Sequence, residues 1–126
     1  MKLEEFSQDN FEQASQRLVR SLTRGKTTSS HPKAILLGGQ SGAGKTTIHR
    51  IKQREFQGNI IIIDGDSYRS FHPNYLGLQE KYGKDSVDYT KVFAGQMVEY
   101  LVDELSKQGY HLLIEGTLRT TEVPRK

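Results

Sequence analysis

Apolar residues along this chain fall into two patterns. The first is short and unbroken: Ala34-Ile35-Leu36-Leu37, Ile60-Ile61-Ile62-Ile63 and Leu112-Leu113-Ile114. Runs of this length, rich in β-branched residues, are typical of strands covered on both faces, as in a parallel sheet. The second pattern is periodic. Phe11, Ala14, Leu18 and Leu22 recur at helical spacing, and so do Phe93, Met97, Leu101 and Leu105, with Val98 and Val102 beside them. Each set forms one apolar stripe on a helix.

Punctuation residues set the boundaries. A helix is predicted from Asp9 to Leu22, with Asp9 and Glu12 as its capping pair. Residues Thr23 to His31 are polar and read as a loop. Pro32 and Gly38-Gly39 bracket the first apolar run, and a helix without Gly or Pro is predicted from Lys45 to about Glu55. Gln57-Gly58-Asn59 is turn chemistry before the second run, which ends at Asp64. Ser67 to Asp85 reads as a loop with a short helix at about Tyr75–Tyr82. A long helix opens at Asp85 or Ser86 and runs to about Lys107, with Gly109 as its left-handed terminator before the third run.

The predicted order is a helix followed by β-α-β-α-β. Right-handed crossovers make the three strands parallel. The expected fold class is therefore α/β, a parallel sheet with flanking helices in three α/β/α layers. Ligands in such sheets bind beyond the carboxyl ends of the strands. That rule selects Gly39–Thr46, Asp64–Ser67 and Glu115–Arg119.

The first of these segments carries the strongest motif. Gly39-Gln40-Ser41-Gly42-Ala43-Gly44-Lys45-Thr46 fits the phosphate-loop pattern G-x-x-x-x-G-K-S/T at each fixed position. The glycines let successive backbone N–H groups converge on phosphate oxygens. Lys45 is placed to reach the β- and γ-phosphates, and the Thr46 hydroxyl to ligate Mg²⁺, with Thr47 next in the helix. Strand, glycine loop and helix stand in the required order.

Asp64-Gly65-Asp66 follows the second strand. Near bound ATP, one carboxylate can hold Mg²⁺ through water and another can accept a proton from an attacking hydroxyl. Glu115-Gly116-Thr117-Leu118-Arg119 follows the third strand and offers an acid, a hydroxyl and a forked donor for phosphate. Glu99, inside the long helix, reads as a solvent-facing acid. His49 and His72 are lone histidines with no metal or catalytic role assigned, and His72-Pro73 reads as a loop kink.

Composition adds limits. The chain has 126 residues, enough for one domain, with 34% hydrophobic and 26% charged residues. No apolar run approaches the roughly 18 residues that span a membrane. The N-terminus lacks the apolar core of a secretory signal. The absence of cysteine excludes disulfides and thiolate zinc sites and fits a cytoplasmic protein. A net charge of +3 suits anionic substrates, but the basic residues are interleaved with acids and form no stripe for nucleic acid.

At Ile35–Thr47, Ile62–Ser67, His72-Pro73 and Leu113–Arg119 the chain resembles the zeta toxin family. The phosphate loop is common to many kinases. The Asp-Gly-Asp and Glu-Gly-Thr-x-Arg segments in this order are more specific. The resemblance covers essentially the whole chain. It implies a bacterial, cytoplasmic toxin that uses ATP and Mg²⁺ to phosphorylate the 3′-hydroxyl of the sugar of UDP-N-acetylglucosamine, blocking cell-wall synthesis. It also implies a cognate antitoxin partner of the epsilon kind. By the same resemblance Asp66 is the catalytic base, Lys45 and Thr46 contact phosphate and magnesium, and Glu99, Glu115, Thr117 and Arg119 line the sugar-nucleotide site.

Family members are considerably longer than 126 residues. Their later arginines and later strands have no counterpart here. Residues 1–126 are therefore expected to be the N-terminal portion of a single kinase-like domain, with Ala34–Leu37 left as an apolar edge. Two other readings stay open: a nucleotide- or antitoxin-binding fragment without turnover, and a phosphate-loop kinase for another small hydroxyl compound.

Overall fold

The computed structural model describes residues 2–37 and 42–115, with the side chains of 42–46 excepted. Its elements are helix α1 (Gln8–Thr23), strand β1 (Ala34–Leu37), helix α2 (Gly42–Glu55), strand β2 (Ile61–Asp64), a 3-10 helix (Gly65–Phe71), helix α3 (Tyr75–Tyr82), a second 3-10 helix (Gly83–Ser86), helix α4 (Val87–Gln108) and strand β3 (Leu112–Glu115). All three strands are parallel and lie in the order β1-β3-β2.

The central strand explains the layering. Every residue of β3 is buried. Leu112 and Ile114 face one core, with Ile61 and Ile63 of β2, Ala14 and Leu18 of α1, and Phe93, Met97, Leu101 and Leu105 of α4. Leu113 faces the other core, with Ile60, Ile62, Ile35, Leu37, Ile48 and Phe56. The two-residue period of the strands thus divides helices α1 and α4 from α2 on opposite faces. This is the predicted three-layer arrangement.

Strand β1 pairs with β3 alone among the described residues, and Leu36 on it is 58% exposed. The expected apolar edge is present.

Four boundaries differ from the sequence reading. The cap of α1 is Ser7 rather than Asp9: the Ser7 hydroxyl accepts from Asn10 N–H at 3.0 Å, and Asn10 Oδ1 accepts from Ser7 N–H at 3.2 Å. A short Asn reaches back as well as the Glu of the usual box. Helix α2 begins at Gly42, three residues before Lys45, because the end of the glycine loop already forms the first turn. The segment predicted as mostly loop is wound into 3-10 turns on either side of α3. The second of these displaces the start of α4 to Val87.

His72 does more than kink a loop. It is 3% exposed; its Nδ1 accepts from Asn74 N–H at 3.0 Å, which leaves Nε2 to donate to the Glu4 carbonyl at 2.9 Å. Asn74 Nδ2 donates to the Leu3 carbonyl at 2.9 Å, so this corner straps the N-terminal segment to the domain.

Gly109 ends α4 at φ +101°, and a Cβ there would lie 3.1 Å from the Ser29 carbonyl oxygen. Ser29 N–H donates to the Gly109 carbonyl at 2.8 Å, which fixes that approach. Gly109→Ala is therefore expected to destabilise the chain by about 1–3 kcal/mol, read as a lower urea midpoint at unchanged slope.

Candidate active site

Parallel pairing aligns the strand ends. Glu115 is in register with Leu37 on one side and with Asp64 on the other. One row at the carboxyl edge of the sheet therefore carries two acids. The polypeptide leaves the same edge from β1 into Gly39, Gln40 and Ser41 and re-enters the described structure at Gly42. Gly39, Gln40 and Ser41 lie outside the described residues, as do Thr117 and Arg119. Gly42, Ala43, Gly44, Lys45 and Thr46 form the first turn of α2, whose free N–H groups are the usual anion site of such loops. Thr47 follows them, exposed.

The two aspartates after β2 have different environments. Asp64 is half-buried and caps the 3-10 helix: Oδ1 accepts from Asp66 N–H at 3.2 Å and Oδ2 from the Ser67 hydroxyl at 3.0 Å. Its carboxylate fixes the turn. Asp66 is exposed, its carboxylate at the surface of the strand-end edge. Gly65 between them is required by space, since a Cβ there would lie 3.0 Å from Val98 Cγ2 on α4. Helix α4 thus presses the turn against the sheet edge. Glu99, the next residue of that helix, is exposed, in agreement with its reading as a solvent-facing acid.

Glu115 is deeply buried. Its side chain is 2% exposed, on the α2 face of β3 by alternation from Leu113. There its Oε2 meets Nε2 of His49 on α2. Burial of a carboxylate costs several kcal/mol unless a donor faces it, and the imidazole supplies one. The sequence reading left His49 without a role. Its position one turn beyond Lys45 in the loop helix was the available signal.

Tyr68 is the second residue the sequence reading missed. It is 3% exposed in the turn after Asp66. Burial pushes its hydroxyl up to about 12; a backbone hydrogen bond at Asp64 opposes this, and the Asp64 and Glu115 carboxylates add to it. The phenol is therefore a neutral group lying within the field of both strand-end acids.

Strand, glycine loop and helix, with acids at the ends of the neighbouring parallel strands, define a phosphate-loop α/β protein. The comparisons are narrower. The zeta toxin family model matches residues 17–126. The chain is 68% identical over its full length to Toxin PezT of Streptococcus pneumoniae serotype 4, covering 50% of that protein. It is 42% identical over 119 residues to Toxin zeta of Streptococcus pyogenes, covering 94% of this chain and 42% of that protein. A solved chain from the PezAT chromosomal toxin–antitoxin system of Streptococcus pneumoniae superposes with a TM-score of 0.92 at 68% identity, over 98% of this chain and 51% of that one. The chain belongs to the zeta toxin family and spans about half the length, or less, of the curated relatives it matches.

Tyr68 generates a pH prediction. In the unfolded chain the phenol loses its proton near pH 10, in the folded chain near 12. Between these values the unfolded state binds fewer protons, so stability falls as pH rises, by about 3 kcal/mol in all. Tyr68→Phe should flatten this fall relative to the parent chain. Urea unfolding at pH 9, 10 and 11 checks the difference.

Proposed function

We propose that this chain carries the phosphate loop and catalytic base of a zeta toxin-type kinase. In this reading ATP is the donor and the 3′-hydroxyl of the sugar of UDP-N-acetylglucosamine is the acceptor. The observation that carries it is the aligned carboxyl edge: the loop after β1, Asp64-Gly65-Asp66 after β2 and Glu115 ending β3 meet along one row.

The chemistry follows from those positions. Asp66 takes the proton of the sugar hydroxyl as its oxygen attacks the γ-phosphorus, and the bond to the ADP oxygen breaks. The loop Gly39–Thr46 cradles the phosphates, Lys45 offsets their charge, and Thr47 continues the helix that holds them. Asp64 keeps the turn in place so that Asp66 stays at the edge. Glu99, Glu115, Thr117 and Arg119 are the residues proposed to line the sugar nucleotide.

Mg²⁺ keeps several waters and takes one or two protein oxygens together with substrate phosphates. Among the described residues there is no group of three or more acids, histidines or cysteines that would cage a metal without the nucleotide. The strand-end acids and the proposed Thr46 ligand fit a phosphate-bound ion of this kind. When bound, Mg²⁺ neutralises charge on the β- and γ-oxygens.

The solved relative comes from a toxin–antitoxin system named PezAT. A PezA- or epsilon-like antitoxin is accordingly the proposed partner, and the bacterial cytoplasm, where the nucleotide substrates reside, the proposed location. Among the described residues no helix is long and apolar enough to cross a membrane.

The test is product identification by mass spectrometry after incubation with ATP, Mg²⁺ and a panel of hydroxyl compounds. The expected product is UDP-N-acetylglucosamine phosphate, with turnover about 10²–10⁴-fold lower in Asp66→Ala. Phosphorylation of a different panel member would replace the substrate. Unchanged turnover in Asp66→Ala would remove the assigned base.

A further inference from the structure

The contact between His49 and Glu115 joins two parts of the site that sequence motifs treat separately. His49 belongs to α2, the helix that begins inside the phosphate loop. Glu115 ends the central strand, beside the acceptor segment that follows it. Its side chain is 2% exposed and that of His49 28%, so the imidazole shields the carboxylate from solvent. We infer that His49 is a positioning residue: it holds the Glu115 carboxylate in one orientation at the strand end and so fixes the acceptor side of the site relative to the nucleotide helix. This inference rests on the kinase reading above.

The physical case has two parts. A buried carboxylate rotates among alternative orientations unless a directional partner selects one, and a hydrogen bond to a charged group is strong enough to do so. The neighbours do not supply that selection. Leu113 and Ile48, on the same side of the sheet, are apolar, and Asp64 in the adjacent register position carries the same charge as Glu115. Like charges in one row favour reorientation, and a donor from α2 opposes it.

A purely structural role for His49 would change stability and leave substrate preference alone. Positioning predicts a selective effect. His49→Ala should raise KM for the acceptor about tenfold while KM for ATP moves less than about twofold, on the scale of one hydrogen bond to a charged group. His49→Gln, which keeps an amide donor, should recover acceptor KM to within about threefold of the parent. Adding His49→Ala to Glu115→Ala should change nothing further, because the role runs through Glu115.

Equal changes in both KM values, no change in either, or full additivity in the double variant would each overturn the proposal. The His49 ring Nε2–H proton, followed by NMR, gives a readout independent of turnover. It should be shifted downfield by the carboxylate, and that shift should vanish in Glu115→Ala. If the parent protein leaves UDP-N-acetylglucosamine unphosphorylated, the kinase reading fails. The ring resonance then decides the contact alone, and a signal indifferent to Glu115→Ala sinks the inference.

Discussion

The parallel register of β3 between β1 and β2 is the constraint on which the rest of the structure depends. It places Leu37, Glu115 and Asp64 in one row and assigns alternate residues of β3 to different cores. A slip by one residue would send Glu115 to the face packed by α1 and α4. That face is built from Phe93, Met97, Leu101 and similar residues. An ionised carboxylate placed there would lose the imidazole of His49 and gain an apolar wall, at a cost of several kcal/mol. The polar strand end therefore reinforces the register that the apolar strand interior selects. Site geometry and sheet geometry are stabilised by the same pairing.

Much of this was legible because the signals are local. Unbroken apolar runs located all three strands, and the stripe Phe93-Met97-Leu101-Leu105 located the face of α4 that is buried. Gly109 was readable as a terminator because left-handed backbone at a helix end leaves a mark in residue type. The strand-end rule also chose segments that the structure brings to one edge: Asp64 and Glu115 sit side by side there. What was not legible depends on contacts between distant segments. His49 and Glu115 belong to different elements, and nothing near either residue announces the other. His72 looked like part of a kink because its partner, the Glu4 carbonyl, is a backbone group with no sequence signature. Ser7 was passed over as the cap because Asn10, its reciprocal partner, falls outside the usual Glu or Gln pattern.

The 3-10 helix after β2 shows how an exposed catalytic carboxylate can be held without being paired. Asp66 is at the surface, yet its neighbours leave it little freedom. Before it, Asp64 accepts from its own backbone N–H and from the Ser67 hydroxyl. Gly65 lies against Val98 with no room for a side chain. After it, Tyr68 is buried in the core formed by α1, α4 and the sheet. A base that must meet a substrate hydroxyl gains from this arrangement. An ion pair to Asp66 would hold it equally well but would compete for the proton it has to accept. Rigid neighbours fix the position while the oxygens stay open to the acceptor. The two aspartates of one tripeptide thus divide the work: the half-buried one shapes the turn, and that shape is what makes the exposed one useful for chemistry.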